Sequence, residues 1–233
     1  MSDERARIQA EYERRLAEML PGRYAPDAVS TIALVRSREI ALLDLLKGHR
    51  INLDDSRVLD LGCGGGGELQ RLLALGSDPR RLTGIDLLPF RLDGAREAVP
   101  GVAFLAADGG AMPFRDSSFD LAMLFTVLSS ILDPGLRHEV AEEVRRVLRP
   151  GGALLWYDFK WNPTNRQTTG IGPRHIRELF PTFNHETRSV TLAPPIARAV
   201  APRSMRLSEL LERVPFLRSH TIGIAVKPGG VSW

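Results

Sequence analysis

The run from Val58 to Gly67, VLDLGCGGGG, constrains this 233-residue chain more than any other feature, because it carries an apolar strand straight into five glycines within six positions. Glycine weakens the interior of a helix or strand, so four in succession mark a turn whose backbone must adopt unusual angles or let something approach closely. A strand that enters such a turn and leaves it as a helix opens an α/β layer structure. The next hundred residues keep that rhythm: RVLDL, LTGID, VAFLAAD, FDLAMLF and GALLWYDF alternate with helical periods at 67–76, 89–99 and 134–149. The pattern predicts a parallel sheet covered on both faces. Asp133-Pro134 reads as an N-cap followed by proline at the first helical position, and Arg149-Pro150-Gly151-Gly152 as the end of that helix. Two helices precede the first strand. One spans 3–20 with Ile8, Tyr12, Leu16 and Met19/Leu20 on its apolar side; the other follows Pro26 with Val29, Ile32, Ala33, Ile40, Leu43 and Leu46. Arg36 falls on the second stripe and calls for a carboxylate partner. Beyond residue 160 come a polar loop, a short helix from Pro173, strands at 186–192 and 219–227, and a proline-interrupted helical stretch at 194–214. No linker, repeat or low-complexity tract divides the chain, and 43% hydrophobic residues suffice for a single core.

The glycine turn satisfies two patterns. As G-x-G-x-x-G (Gly62, Gly64, Gly67) it would receive a pyrophosphate on backbone amides at a helix N-terminus. As D-x-G-x-G-x-G (Asp60, Gly62, Gly64, Gly66) it places a carboxylate beside the ligand, which repels a pyrophosphate and favours a cation. Asp86 ends the next strand, where an acid can accept both ribose hydroxyls of an adenosine, or can simply cap the helix near Pro89. Asp108 follows the third strand and could accept the exocyclic amine of adenine. Three acids at three successive strand ends form a stronger signal than any one of them, since open α/β sheets bind ligands at the carboxyl ends of their strands.

In order, VLDLGCGGGG, GIDL, LAADGGAMPFRDSSFDLAM and VRRVLRPGGALLWYD resemble motif I, the acidic loop, the adenine loop and the following helix-turn-strand of class I S-adenosylmethionine-dependent methyltransferases. The resemblance covers about residues 57–160 and is closest to the small-molecule methyltransferase domain group, with TVLSSILDP, WYDFKWNPTNR and TLAPPIARAVAP similar to a bacterial subgroup. It implies a Rossmann-like, seven-stranded, mostly parallel sheet whose last strand is antiparallel. It also implies S-adenosyl-L-methionine as cofactor, held by Asp60, Gly62, Cys63, Gly64, Gly66, Asp86, Leu87, Asp108, Gly109, Phe125 and Thr126. The expected division of the single domain is a helical lid over 1–50, a cofactor-binding core over 51–160 and acceptor-side strands and helices over 161–233.

Several chemistries are disfavoured. The N-P-P-Y motif of amino-group methyltransferases is absent from the fourth-strand end, which reads Phe125-Thr126-Val127-Leu128. No acid cluster suits a metal. The single cysteine cannot run two-cysteine chemistry. Asp158, at the end of WYDF, is the candidate general base, with Tyr157 on the opposite side of the strand; a structural role for Asp158, as partner of an arginine such as Arg36, is an equal alternative. His138, His175, His185 and His220 read as surface residues rather than bases. Candidate acceptor contacts are Tyr24, Arg36, Ser129, Ser130, Asn162, Asn165 and Arg166, of which those in loops could equally cap helices.

From Lys160 to Lys227 eleven basic residues face four acids. That excess points to an anionic acceptor, such as an acidic sugar or natural product methylated on oxygen, or to a merely solvated surface. The alternatives are a tRNA or rRNA methyltransferase or RNA-binding protein, a NAD-dependent oxidoreductase, which Asp60 argues against, and a non-catalytic partner subunit. Nucleic acid is disfavoured by the lack of lysine clusters and stacking aromatics. One cysteine, a charged first segment and no apolar run of membrane-spanning length point to a cytoplasmic protein without a membrane partner.

Overall fold

The computed structural model describes residues 3–18, 29–161 and 165–229. Seven strands form one sheet: β1 (Val58–Leu61), β2 (Leu82–Asp86), β3 (Ala103–Ala106), β4 (Phe119–Phe125), β5 (Leu148–Phe159), β6 (Asn184–Leu192) and β7 (Arg218–Val226). Their order is β3-β2-β1-β4-β5-β7-β6. Every neighbouring pair from β3 to β5 is parallel, while β7 runs antiparallel to both β5 and β6. The expected antiparallel last strand therefore lies inside the sheet, and β6 forms the edge. Chain order reverses between β1 and β4, and the crevice for a ligand opens at that switch point.

Alternation along the strands divides the core between two helical layers. Leu59, Leu61, Leu124, Leu154 and Trp156 face α5 (Pro134–Val147) and α6 (Pro173–Leu179), meeting Val140, Val144 and Ile176. Val58, Leu121, Met123, Leu155 and Tyr157 face α2 (Val29–Gly48), α3 (Gly67–Ala74) and α4 (Pro89–Ala98), meeting Leu42, Leu45, Leu69 and Leu92. Strands buried on both faces read as nearly unbroken apolar runs, which is why these segments stand out in the sequence. α5 begins at Asp133, whose side chain accepts the Gly135 N–H, with Pro134 at the first helical position as expected.

The two N-terminal helices part company. α1 (Asp3–Glu18) crosses the carboxyl ends of the strands, where Ile8 and Tyr12 face inward while Leu16 is exposed; Met19 and Leu20 lie outside the described residues. α2 instead packs on the far side of the sheet against β6, β7, α7 (Pro194–Val200) and α8 (Met205–Glu212). Its buried residues are Ala41, Leu42, Leu45 and Leu46, whereas Val29, Ile32, Ile40 and Leu43 of the expected stripe are exposed. VSTIALVRSREIALLDLLKG is apolar around most of its circumference, so periodicity alone does not select the packed face. Arg36 does find a carboxylate, Glu209 at 2.7 Å, but as an exposed pair between α2 and α8.

Candidate active site

A cleft of about 770 Å3, including its open mouth, lies at the carboxyl ends of β1, β2 and β4 beneath α1. Its floor is the glycine turn. Gly62, Gly64 and Gly66 have φ of 70°, 53° and 78°, a region that side chains disfavour. A Cβ on Gly62 would stand 2.7 Å from Val127 Cγ2, and one on Gly64 2.3 Å from Arg91 Nη2. The N–H groups of Gly62 and Cys63 both bond to the Ile85 carbonyl at 2.7 and 3.0 Å, which ties the turn to β2.

Two of the three expected acids face this cleft. Asp86 accepts the Gly64 N–H at 2.9 Å on one carboxylate oxygen and the Leu88 N–H at 3.0 Å on the other, with Arg91 3.4 Å away. Oδ1 keeps a lone pair for a ribose hydroxyl, while Oδ2 already takes the Gly64 N–H and the longer Arg91 contact. Asp108 accepts the Gly110 N–H at 2.9 Å through Oδ1 and pairs with Arg5 through Oδ2 at 2.5 Å. Leu87, Gly109, Phe125 and Thr126, expected at the cofactor, and Ser130, expected at the acceptor, also line the cleft. Thr126 holds φ 58°, secured by its N–H to the Tyr157 carbonyl at 2.7 Å, so strained backbone stands at the cleft wall. An adenosine ligand fits this set: closely approached glycines, two fixed carboxylates and apolar walls.

Asp60 does not join them. It is 2% exposed and on the α2 side of the sheet, with Oδ2 unpartnered among the described residues. Burial, then the neighbouring Glu68 and Asp86 carboxylates, push its pKa well up. Its charge therefore does not choose between cofactors, contrary to the sequence argument. The Cys63 thiol is also buried, 2.8 Å from where a Cβ of Gly84 would lie, and its pKa is raised by the same burial. Gly64 and Gly66 shape the turn without lining the cleft.

Asp158 needs a correction as well. It is 2% exposed, absent from the cleft wall, and its oxygens accept the backbone N–H groups of Ser129 and Phe159, each at 3.0 Å. Burial pushes its pKa up to about 7. It supports the one-turn 3-10 helix Leu128–Ser130 from below instead of meeting an acceptor as a base. Tyr157 points to the opposite face, as alternation predicts, and bonds Thr191 Oγ1 at 3.0 Å. Ser129 is buried, Arg36 belongs to α2, and Asn165 and Arg166 do not line the cleft; Tyr24 and Asn162 lie outside the described residues. None of the eleven basic residues from Lys160 to Lys227 lines it either, because β6, β7, α7 and α8 occupy the other end of the sheet order. His220, read as a surface residue, is buried in a stack on Tyr157 with centroids 4.8 Å apart.

Three residues escaped the sequence reading. Arg5 and Arg91 both reach the cleft acids, and the Tyr12 hydroxyl lies 3.2 Å from Ser130 Oγ. Tyr12 was visible only as an apolar stripe position. The arginines carried no signal, because a long side chain reaches across elements in ways that spacing does not encode.

Residues 58–152 match the family model described as a methyltransferase domain. A phthiotriol/phenolphthiotriol dimycocerosates methyltransferase of Mycobacterium leprae is 35% identical over 166 residues, 70% of this chain and 57% of that protein. A sterol 4-C-methyltransferase of Caenorhabditis elegans is 36% identical over 107 residues, 43% of this chain and 30% of the relative. The chain thus spans only part of the length of these relatives. In fold it is similar to the N-methyltransferase NodS from Bradyrhizobium japonicum, solved with S-adenosyl-L-homocysteine, at a TM-score of 0.67 and 20% identity over 95% of this chain and 99% of NodS. The glycine turn, the two strand-end acids, the sheet order and the matched region together make residues 58–152 a methyltransferase domain, in a chain with the fold of the class I S-adenosylmethionine-dependent methyltransferases.

Proposed function

We propose that this chain transfers a methyl group from S-adenosylmethionine to an oxygen nucleophile on a small molecule with a largely apolar body. The observation that carries the reading is the composition of the cleft wall. Ile8, Tyr12, Phe125, Val127 and Ile131 surround it, and the charged groups facing it, Arg5, Arg91, Asp86 and Asp108, pair with one another. The arginine-rich segment invoked for an anionic acceptor is elsewhere, so that expectation gives way to an apolar one. The relatives fit: one is named for phthiotriol dimycocerosates, the other for sterols.

When bound, the cofactor supplies an activated methyl group on a sulfonium. The chain's own contribution is position. Asp86 fixes a ribose through a carboxylate held by two backbone N–H groups. Asp108 and the Gly109-Gly110 backbone meet the adenine end. Tyr12 and Ser130 present paired hydroxyls that orient an acceptor hydroxyl, Ser130 Oγ being fixed by donating to the Thr126 carbonyl at 3.1 Å, and the acceptor's proton leaves to water at the open mouth of the cleft as the methyl group arrives.

The test is calorimetry with S-adenosylhomocysteine and NAD, followed by transfer of labelled methyl to a panel of apolar alcohols and matched carboxylated ones. Asp86→Ala should weaken S-adenosylhomocysteine binding by about 1–3 kcal/mol. Binding of NAD alone would overturn the cofactor assignment. Turnover confined to the carboxylated acceptors would overturn the apolar one.

A further inference from the structure

The connection between β6 and β7 leaves the sheet at Leu192 and returns at Arg218, its register partner, so α7, α8 and the one-turn helix Pro215–Leu217 hang from the carboxyl-end side of the sheet at its β6 corner, α7 and α8 packed on β6 and α2. The cleft opens at the same end. On this rim several large apolar side chains stand in solvent: Phe216 is 82% exposed, and Leu207 and Leu210 are exposed on α8. Trp161, two residues beyond β5, is 58% exposed at that end too. Single exposed apolar residues need no explanation, but a group of leucines and aromatics on one rim does.

The charges on the same rim are one-sided. At 100° per residue Arg206, Leu207, Leu210 and Arg213 fall on one face of α8, and all four are exposed. Arg206 and Arg213 make no ion pair among the described residues, and the guanidinium of Arg203, exposed before the helix, bonds the Ala199 carbonyl rather than an acid. The one acid of this face, Glu209, is neutralised by Arg36. Leucines and an aromatic framed by unneutralised arginines are the chemistry of a surface that sits in the headgroup region of a bilayer, apolar groups inward and guanidinium groups on anionic headgroups.

We propose that the α8 rim docks this protein on an anionic lipid bilayer, with the cleft at the membrane-facing end. Docking of this kind needs no spanning helix, and none of the described helices is long and apolar enough to cross a membrane. A second copy of the chain is a poorer occupant, because self-pairing would bring Arg206 and Arg213 against their own kind. Nucleic acid would satisfy the arginines and leave Phe216 and the leucines without partners. The inference does not depend on the acceptor's identity.

The experiment is cosedimentation of the full chain with phosphatidylcholine vesicles and with vesicles that also contain phosphatidylglycerol, at low and physiological salt. Binding to the anionic vesicles, weakened by salt and near absent on the neutral ones, is expected. Arg206→Gln and Arg213→Gln should each weaken it about fivefold. Phe216→Ser should weaken it as well, with S-adenosylhomocysteine affinity and circular dichroism unchanged. No sedimentation with either vesicle at low salt would overturn the proposal, as would binding indifferent to all three substitutions. So would a dimer in gel filtration that these substitutions dissociate, or retention by duplex DNA in place of vesicles.

Discussion

Arg5 and Asp108 form a 2.5 Å ion pair that fastens α1 across the mouth of the cleft, and the same guanidinium reaches Glu139 at 2.9 Å. The pair engages Asp108 Oδ2, the oxygen left open for the adenine amine once Oδ1 has taken the Gly110 N–H. In the proposed cofactor pose the adenine amine and Arg5 would therefore share one carboxylate. Arg5→Ala is expected to bind S-adenosylhomocysteine faster and up to about fivefold more tightly, the scale of a partly exposed pair. Stopped-flow fluorescence and calorimetry measure both; weaker binding by the variant would show that Arg5 serves the cofactor.

Tyr12 stands between two guanidinium groups, with Arg91 4.8 Å and Arg15 5.0 Å from its ring centroid, while its hydroxyl meets Ser130. The ring lines the cleft, and in the proposed mechanism the hydroxyl orients the acceptor. Tyr12→Phe keeps the first and removes the second, so turnover should fall about 10- to 100-fold with cofactor affinity unchanged. Steady-state kinetics beside calorimetry separates the two, and wild-type turnover would strike the hydroxyl from the mechanism.

Asp158 carries a pH signature because burial, partly offset by the Ser129 and Phe159 N–H groups and Arg137, sets its pKa at about 7 in the folded chain. An ordinary unfolded aspartate titrates near 4. Between those values the folded state binds the extra proton, so this residue lowers stability as pH rises from about 4 to 7 and adds no further change above. In Asp158→Asn that fall should vanish, a relative change of about 2–4 kcal/mol across the window. Urea melts at pH 4.5, 6 and 7.5 test this, and parallel profiles for the two proteins would refute it.

His220 acts in the opposite sense. Buried against Tyr157 and Phe159, and with Arg38 and Lys160 adding like charge, its pKa falls to about 3. Below the unfolded value near 6.5 the unfolded chain takes the proton and the folded one does not, so stability drops as pH falls from 6.5 toward 3. His220→Phe should remove about 2 kcal/mol of that loss by pH 5 while keeping the stack. Equal acid sensitivity of variant and wild type in thermal melts would place the titrating group elsewhere.

The glycine turn and the acids of the cleft were legible because they are written in backbone and local order. Gly62, Gly64 and Gly66 had to be glycines, and each takes positive φ. Asp86 ends β2 and Asp108 lies two residues past β3, where the topology turns their carboxylates toward the cleft. Asp60 turns to the same face as Asp86 but stands level with Gly84, two residues deeper in the sheet, so its carboxylate stops short of the cleft. Asp158 failed differently. Its strand and face were predictable, but the turn 128–130 that roofs it comes from a separate element. α2 shows the limit of periodicity, since a helix apolar nearly all round can bury either side.

The interior position of β7 has a consequence for how the chain is made. β6 hydrogen-bonds only to β7 within the sheet, and β7 leaves the ribosome after the other six strands. Strands β1 to β5 can close around the glycine turn during synthesis, with β5 still offering an open edge. The segment holding β6, α7 and α8, together with the face of α2 that packs on it, must wait for residues 218–226. Translation thus finishes the cofactor cleft before the rim, and a chain stopped short of β7 would display a bare edge strand, the template on which aggregates grow.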